Sequence, residues 1–446
     1  MESYATAHGA ALPMNYPDSV QFLYSLGNEI KTAKLGLERV RTVLAELGNP
    51  QDRLRFVHVA GTNGKGSTCA MIEAGLRADG RRTGLFTSPH LAEPTERIRI
   101  NGQSVSSGQF AEAFQRVHSC VEDLLARGAI DWHTTYFETV TAMAFLIFLD
   151  ERVETVVLEV GLGGRLDATN VVNPDLCVIT QVDYDHEAYL GKGLESIAFE
   201  KAGILKNDVP AVFSRQRPAA GRALDLRASE LCIPVARTDA WTIGDLEVDI
   251  RGSRFLLSGE CELRIHCPLA GEHQVENAAT AAVALTRLGA SERAIEYGIA
   301  RTEWPGRLER VSERPEIILD GAHNPAGARA LAAYINRFYS GRRVRLIYGA
   351  MRDKAIEEIG EILFPCAQQV IVTAPRQARA MDPETLRDAA DHPDLRVAPA
   401  LEDALAMIED ATGDNSDHAS DDDAIFITGS LFLVAEARAA IIDAKR

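Results

Sequence analysis

A glycine-rich turn that carries one lysine joins a predicted strand to a predicted helix in the first quarter of the chain. The strand is the apolar run at residues 56–60, and the helical stretch covers residues 68–79. The turn departs from the strict G-x-x-x-x-G-K-S/T pattern, because Val59 occupies the first glycine position and an extra glycine precedes the serine. The turn between strand and helix consists of Gly61, Thr62, Asn63, Gly64, Lys65, Gly66 and Ser67.

This composition indicates that the turn binds phosphate. Glycines allow backbone N–H groups to approach an anion closely, a helix N-terminus favours negative charge, and Lys65 adds a positive charge. The alternative is a tight strand-to-helix turn whose lysine faces solvent. Three glycines, a lysine and a serine in one turn after a strand favour a nucleotide-phosphate loop.

The remaining chain alternates strand-like and helical stretches, which predicts an α/β fold. With 446 residues it is too long for one core. We predict a P-loop-type, mostly parallel-sheet ATPase domain at residues 1–304, with a small β meander at 237–267 followed by a helix at 274–288. A smaller Rossmann-like C-terminal domain occupies residues 305–446. The predicted strands are residues 82–87, 155–160 and 176–182 in the first domain, and 344–348, 369–373 and 424–428 in the second.

Charge and cysteine usage limit the partners and the compartment. The net charge of −17 disfavours nucleic acid as a partner. Seven scattered cysteines, an N-terminus without a secretory pattern and a longest apolar run of residues 142–149 favour a cytoplasmic protein outside the membrane. The acidic run at residues 414–423 is predicted to be a solvated loop.

Polar residues at the ends of the predicted strands are candidate metal ligands. A phosphate loop works with magnesium, which prefers oxygen ligands. Ser88 closes one strand, and Glu159 lies inside an apolar run, where an unpaired carboxylate would be unfavourable. The alternative for Glu159 is a structural salt bridge with Arg165. The pair Asp185-His186 follows another strand, at the edge where α/β sheets bind ligands.

Seven segments, taken in order, carry a family resemblance. Together they resemble the folylpolyglutamate synthase/dihydrofolate synthase family of the Mur ligase superfamily, over nearly the whole chain. The ending Gly64-Lys65-Gly66-Ser67 differs from the Gly-Lys-Thr-Thr of typical cell-wall ligases. The segments are residues 58–67, 87–91, 96–102, 159–170, 200–204, 305–309 and 320–325.

The resemblance implies ATP and Mg²⁺, with two ions, as cofactors. The glycine-rich turn and Lys65 would hold the ATP phosphates. Lys201 would be carbamylated and would hold a second metal, and its alternative is an unmodified lysine that pairs with phosphate. The other implied magnesium ligands are Ser88, Glu159 and His186. The other implied ATP contacts are Asn277 to adenine, Arg307 to the phosphates and Asp320 to ribose.

The resemblance also implies where the substrates bind. His323 and Ser430 would place L-glutamate, with a helix N-cap and a turn serine as their alternatives. A folate pocket would use aromatic rings for stacking and a carboxylate for the aminopyrimidine edge. On their own, Tyr136 and Phe137 would more often be core residues. The pocket residues are Thr135, Tyr136, Phe137, Glu138, Leu166, Asp167 and Ala168.

The implied reaction is an ATP-dependent amide ligation by a monomer. The γ-phosphoryl group of ATP would convert a carboxylate of dihydropteroate or of a reduced folate into an acyl phosphate. The amine of glutamate, with His323 as its base, would then attack. The alternatives are a monofunctional folylpolyglutamate synthase, a Mur-type cell-wall ligase, and an ATP-dependent switch or binding module. Lys34, residues 181–184 and the segment Asp353-Lys354-Ala355 depart from the family pattern.

Overall fold

The computed structural model describes residues 14–27, 36–352, 354–389, 391–410 and 423–443. Lys34, Asp353 and most of the acidic run therefore lie outside the described residues. The described residues form two larger, mostly parallel sheets with helices between their strands, and one small antiparallel sheet. This arrangement confirms the predicted fold class.

An eight-stranded sheet forms the centre of the first half. Its order is β4-β3-β2-β5-β1-β6-β7-β8, and all neighbouring strands are parallel except around β3. The strand β1 lies between β5 and β6, so the turn after β1 is central in the sheet. The strands are β1 (Phe56–Ala60), β2 (Thr83–Phe86), β3 (Ile98–Ile100), β4 (Gln103–Ser104), β5 (Thr155–Glu159), β6 (Leu176–Ile179), β7 (Ala211–Phe213) and β8 (Val235–Arg237).

Apolar clusters cover both faces of this sheet. Successive side chains of a strand point to opposite faces, so one strand contributes to both clusters. Phe56 packs in one apolar cluster, whereas Val57 and Val59 pack in another on the opposite face. Short 3-10 helices occur at Pro50–Arg53, Pro94–Arg97, Ala168–Val171 and Thr238–Ala240. The helices are α1 (Tyr16–Ser25), α2 (Glu38–Glu46), α3 (Lys65–Ala78), α4 (Ser107–Ala126), α5 (Tyr136–Asp150), α6 (Glu187–Leu190), α7 (Leu194–Ala202), α8 (Pro218–Glu230), α9 (His273–Arg287) and α10 (Glu292–Ile299).

The predicted β meander forms the small antiparallel sheet. It contains β9 (Thr242–Val248), β10 (Ser253–Ser258) and β11 (Glu262–Cys267), in the order β11-β10-β9. Alternate residues of β11 are buried, and Leu263 and Ile265 pack in the cluster that also contains the buried face of α9. The meander therefore covers one side of the first unit.

The second half contains a six-stranded sheet in the order β12-β13-β17-β14-β15-β16, with only β12 antiparallel to its neighbour. The helices are α11 (Pro325–Phe338), α12 (Ile356–Leu363), α13 (Pro383–Asp388), α14 (Leu401–Asp410) and α15 (Leu431–Asp443), with a 3-10 helix at Phe364–Cys366. The strands are β12 (Glu309–Glu313), β13 (Glu316–Leu319), β14 (Val344–Tyr348), β15 (Gln369–Val372), β16 (Leu395–Val397) and β17 (Ala424–Thr428).

Two local predictions are wrong. The helix after the glycine-rich turn begins at Lys65, three residues before the predicted start at residue 68, so Lys65 lies in its first turn. The acidic run was predicted to be solvated up to Asp423, but Asp423 is buried and lies 3.1 Å from the guanidinium of the buried Arg345. Within the described residues, no helix is long and apolar enough to cross a membrane.

Candidate active site

The glycine-rich turn is held tightly between its neighbours. Gly64 has φ of 80° and precedes α3, and a Cβ at this position would lie 2.1 Å from Oδ1 of Asn277. A Cβ on Gly66 would lie 2.8 Å from the ring of Trp304. Larger residues would therefore displace the loop or its neighbours. This packing holds the N-terminus of α3, with its unpaired backbone N–H groups, at the carboxyl edge of the sheet.

Two residues of the turn are already bonded to the segment after β6. The backbone N–H groups of Thr62 and Asn63 donate to the carbonyl of Gln181, at 2.9 and 3.3 Å. The hydroxyl of Thr62 donates to the carbonyl of Asp183 at 2.9 Å. The amides available for an anion are thus those at the start of α3, next to Lys65.

Two lysines converge on one carbonyl group of the turn. The Nζ atoms of Lys65 and Lys201 lie 3.2 and 2.7 Å from the carbonyl oxygen of Gly61. Burial, with the nearby charge of Lys65, lowers the pKa of Lys201 to about 7. A large fraction of Lys201 is therefore an uncharged, nucleophilic amine at neutral pH.

The predicted metal ligands lie at the ends of β2 and β5 and after β6. Glu159 is buried and accepts the backbone N–H of Ser88 at 2.9 Å. Burial raises the pKa of Glu159, although Lys65 opposes this shift. The alternative salt bridge is not formed, because Arg165 pairs with Glu200 at 2.9 Å. A cation beside Glu159 would relieve the burial of its charge.

His186 and Asp185 lie on the other side of the turn. Burial lowers the pKa of His186, which favours the neutral form that binds metals. Burial would raise the pKa of Asp185, but the charge of Lys354 and the hydrogen bond from Asn324 hold it well below its usual value. In the described part of the chain, Glu159 and His186 do not belong to a ready-made group of three His, Cys, Asp or Glu ligands within 4.8 Å of one another. A metal there would need further ligands such as Ser88, Lys201 as a carbamate, phosphate or water.

The second domain contributes polar groups from the strand β13 side of the cleft. The two carboxylate oxygens of Asp320 accept the backbone N–H groups of Leu308 and Ala322, at 2.9 and 3.0 Å. Arg307 lies in the linker before β12, and its charge opposes the rise in pKa that burial gives Asp320 and Glu159. Arg307 therefore lies near carboxylates of both domains.

His323 is held with one ring nitrogen available. Its Nδ1 lies 2.7 Å from the carbonyl oxygen of Gly321, which must accept a hydrogen bond, so Nδ1 carries the proton and Nε2 carries the lone pair. Burial lowers the pKa of His323 to about 4. The ring is thus neutral at physiological pH. Ser430 accepts the N–H of Leu433 at 3.1 Å at the start of α15, and its role in placing glutamate stays a prediction.

The predicted folate residues lie at the start of α5 and in the loop after β5. Tyr136 and Phe137 are buried, and the ring of Tyr136 stacks on Tyr24 with centroids 5.8 Å apart. Arg97 lies 4.9 Å from the centroid of the Tyr136 ring. Leu166 is half-buried and Ala168 is buried in the loop beyond. The aromatic face predicted from the sequence is therefore already covered by protein groups in this structure.

The two carboxylates of that pocket also hold protein groups. Thr135 and Glu138 form a capping box at the start of α5, and Glu138 pairs with Arg39 at 2.7 Å. Asp167 accepts the N–H groups of Leu162 and Thr169, at 2.9 and 3.0 Å. Both carboxylates thus organise local structure, and their contact with an aminopyrimidine edge stays a prediction.

Comparison with known proteins decides the family. Residues 59–285 match the Mur ligase middle domain, and residues 306–431 match the Mur ligase glutamate ligase domain. The dihydrofolate synthase/folylpolyglutamate synthase of Bacillus subtilis (strain 168) is 35% identical over 417 residues, covering 91% of this chain and 94% of that protein. The chain belongs to the dihydrofolate synthase/folylpolyglutamate synthase family.

Solved structures of the family have the same fold over nearly the whole chain. Mycobacterium tuberculosis folylpolyglutamate synthase complexed with ADP matches with a TM-score of 0.89 at 34% identity, covering 96% of this chain and 99% of that one. Escherichia coli FolC in complex with DHPP and ADP matches with a TM-score of 0.83 at 34% identity, covering 96% and 98%. This family member is therefore an ATP-dependent ligase of the Mur type.

One contact of this ligase was not predicted from the sequence. The Nδ2 group of Asn324, at the start of α11, donates to Oδ1 of Asn63 at 3.1 Å and to Oδ2 of Asp185 at 3.0 Å. Lys354 also reaches Asp185, at 3.7 Å. Asn324 thus joins the second domain to the phosphate loop, and Asn324 and Lys354 both join it to Asp185 after β6. The sequence offered only the Asn-Pro pair that marks a helix start.

Proposed function

We propose that this ligase adds L-glutamate to dihydropteroate, forming dihydrofolate, and to tetrahydrofolate, forming folylpolyglutamate. The observation that carries the proposal is the meeting of Lys65, Lys201 and Glu159 at the carboxyl edge of the first sheet with Arg307 and His323 of the second domain. The domain boundary would lie at residues 304–305, so the cleft joins an ATP-binding unit to a glutamate-binding unit.

ATP would bind with its phosphates at the N-terminus of α3. Lys65 would exchange its bonds to the loop carbonyls for bonds to phosphate, and Arg307 would reach the same phosphates from the linker. Asn277 lies against Gly64, on the side of the loop where the nucleotide would extend. Asp320 would meet the ribose through lone pairs that its two backbone bonds leave available.

Magnesium fits the carboxylate at the end of β5. Glu159 is buried with a raised pKa, and a hard cation favours such an oxygen ligand. Ser88 and His186 would complete this site with phosphate and water. Bound magnesium supplies charge neutralisation for phosphoryl transfer.

Lys201 would be carbamylated in the active enzyme. Its pKa of about 7 leaves much of the amine unprotonated at neutral pH, which is the form that attacks carbon dioxide. The nitrogen–carbon bond forms as the amine loses a proton to solvent, and the resulting carbamate is an anionic oxygen ligand. A second magnesium ion would then fit between Lys201 and His186.

The chain's own groups would guide two chemical steps. A carboxylate of the folate substrate attacks the γ-phosphorus of ATP, the bond to ADP breaks, and an acyl phosphate forms. The amine of glutamate then attacks the acyl carbon and phosphate leaves. Nε2 of His323 would take the proton of the amine, because Nδ1 is already bonded to Gly321. Contacts such as Asn324 with Asn63 would close the cleft against water.

The folate would occupy the region between α5 and the loop after β5. Tyr136 offers a ring face once Arg97 or Tyr24 moves aside, and Leu166 lines the same side. We also propose a monomer in the cytoplasm that binds no nucleic acid. All seven cysteines are free, which suits a reducing compartment.

Phosphate release tests the proposal directly. The reaction contains ATP and Mg²⁺ with dihydropteroate or tetrahydrofolate, each with and without glutamate. Release that requires glutamate with both acceptors supports the bifunctional ligase, and release with tetrahydrofolate alone restricts it to polyglutamylation. No stimulation by either acceptor would contradict the proposal and favour a cell-wall ligase or an ATP-dependent switch.

A matched pair of variants connects the activity to this site. Glu159→Gln removes the buried carboxylate with little change in shape and should abolish glutamate-dependent phosphate release. Glu112→Gln changes an exposed glutamate on α4 and should leave the rate unchanged. Equal rates in the two variants would refute the assignment of Glu159.

A further inference from the structure

Two histidines and a glutamate lie together away from the ATP cleft. His118 and Glu122 are separated by one turn of α4, and His133 belongs to the segment before α5. Nδ1 of His118 lies 4.0 Å from Oε1 of Glu122, and Nε2 of His133 lies 3.8 Å from the same oxygen. All three ligand atoms lie within 4.8 Å of one another.

The ring nitrogens that face Glu122 are free to act as ligands. Nδ1 of His133 lies 2.9 Å from the carbonyl oxygen of Thr134, so it carries the proton and leaves a lone pair on Nε2. Backbone carbonyls orient metal-binding imidazoles in this way. Nδ1 of His118 and Nε2 of His133 are both buried and have no hydrogen-bond partner among the described residues. Buried nitrogens without partners are unfavourable unless a ligand binds them.

Aromatic rings fix the two imidazoles in place. The ring of Phe22 lies 4.5 Å from that of His118 and 5.4 Å from that of His133, centroid to centroid. The ring of Phe114 stacks on that of His118, with centroids 5.4 Å apart. Burial lowers the pKa of His118, although the charge of Glu122 opposes this shift. The separations of 3.8 and 4.0 Å between Glu122 and the two rings exceed hydrogen-bond length.

We propose that His118, Glu122 and His133 bind a divalent transition-metal ion of the zinc type, with water in the fourth position. Zinc takes nitrogen and carboxylate ligands at about 2.0–2.1 Å, which puts the ligand atoms of a tetrahedral site roughly 3.3–3.5 Å apart. The side chains therefore need only small rotations. The side chain of Glu122 is 55% exposed, which leaves it free to turn and leaves the fourth position open to solvent.

The metal would connect α4 to the segment that leads into α5. That segment runs from His133 through the capping residue Thr135 to Tyr136, next to the aromatic pocket. Phe22 of α1 packs over the same histidines. Metal binding would hold these three elements together, and the inference does not depend on which acceptor the ligase uses.

Cobalt titration tests the site, because tetrahedral Co²⁺ has a visible absorption that reports its ligands. The background is full-length Cys232→Ser, which removes the exposed cysteine, in excess Mg²⁺ to fill the ATP site. We expect one equivalent of Co²⁺, displaced by Zn²⁺, and a higher Tm with metal. His118→Ala and His133→Ala should each lose that equivalent and the metal-dependent rise in Tm.

Two further variants keep the test decisive. Glu122→Gln alters an exposed side chain, should fold normally, and should weaken binding by at least about tenfold, since even outer-shell partners contribute that much. His266→Ala removes an exposed histidine elsewhere and should retain the full equivalent. Binding that survives all three substitutions at the cluster, or that disappears only in Glu159→Gln, would overturn the proposal.

Discussion

Asn324 joins the second domain to the phosphate loop, and it performs a second, separable task. Its Oδ1 accepts the N–H of Gly327 at 2.8 Å and caps α11, while its Nδ2 donates to Asn63 and Asp185 of the first domain. Asn324→Ser retains an N-capping oxygen but removes both donors. The substitution therefore separates interdomain contact from helix stability.

The size of the effect follows from the two bonds that are lost. The bond to the neutral Asn63 should contribute about 0.5–1.5 kcal/mol and the bond to the ionised Asp185 about 1.5–3 kcal/mol. Because both bonds cross the cleft, they stabilise the closed arrangement in which the acyl phosphate forms and is attacked. A loss of roughly 2–4.5 kcal/mol corresponds to a fall of about 30- to 2,000-fold in kcat/KM for glutamate.

The assay is glutamate-dependent phosphate release, with ATP affinity and Tm measured on the same protein. Asn324→Ser should reduce kcat/KM while ATP affinity stays within about threefold, and its Tm should stay close to that of the parent. Asn324→Ala should show the same kinetic loss with an additional destabilisation of about 1 kcal/mol from the missing cap. A normal kcat/KM in Asn324→Ser, or a loss that only follows Tm, would refute the closure argument.

Four other predictions concern single groups. Glu159→Gln should abolish ligation and remove the Mg²⁺ dependence of ATP binding, as magnesium titration would check. Lys201→Met should remove a dependence of activity on added bicarbonate. Because the pKa of Lys201 is lowered to about 7, the folded state binds fewer protons than the unfolded state above that pH. The free energy of unfolding should therefore rise with pH from about 7 to 10. Denaturation of Lys201→Met should lack this rise. His323→Gln should reduce kcat by about 10²- to 10⁴-fold. Because the pKa of His323 is about 4, the kcat of the unsubstituted enzyme should not show the titration of this group between pH 6 and 8. Asp423→Ala leaves Arg345 buried without its partner and should destabilise the fold by about 3–5 kcal/mol, measured by urea denaturation.

Most strands of the two larger sheets could be predicted because they are short apolar runs followed by glycine or polar residues. The strands at residues 56–60, 344–348 and 424–428 have the predicted bounds. The start of α3 could not be placed correctly, because glycine and serine after Lys65 are poor helix formers. Trp304 packs against Gly66 and Asn277 packs against Gly64, so this helix start lies among tertiary contacts that propensity does not describe.

The candidate site was harder to predict than the fold. The capping role of Glu138 could have been predicted, since Thr135 and Glu138 have the S/T-x-x-E spacing of a capping box. The contact between Asn324 and Asn63 could not be predicted, because it joins side chains 261 residues apart. The group of His118, Glu122 and His133 also combines a local helical spacing with a residue from another element. Sequence patterns report local structure, whereas these contacts depend on how elements pack.

The charges in the cleft suggest that modification of Lys201 would also change which ions the cleft can bind. The cleft residues discussed above include the cations Lys65, Arg307 and Lys354, the partly protonated Lys201, and the carboxylates Glu159, Asp185 and Asp320. These positive charges suit the anionic ATP, although the chain as a whole has a net charge of −17. Carbamylation of Lys201 would replace its partly protonated amine by an anion and leave three cations with four anionic groups. A cleft with that balance can accept divalent cations together with ATP, so the modification would adapt one site to bind nucleotide and metal at once.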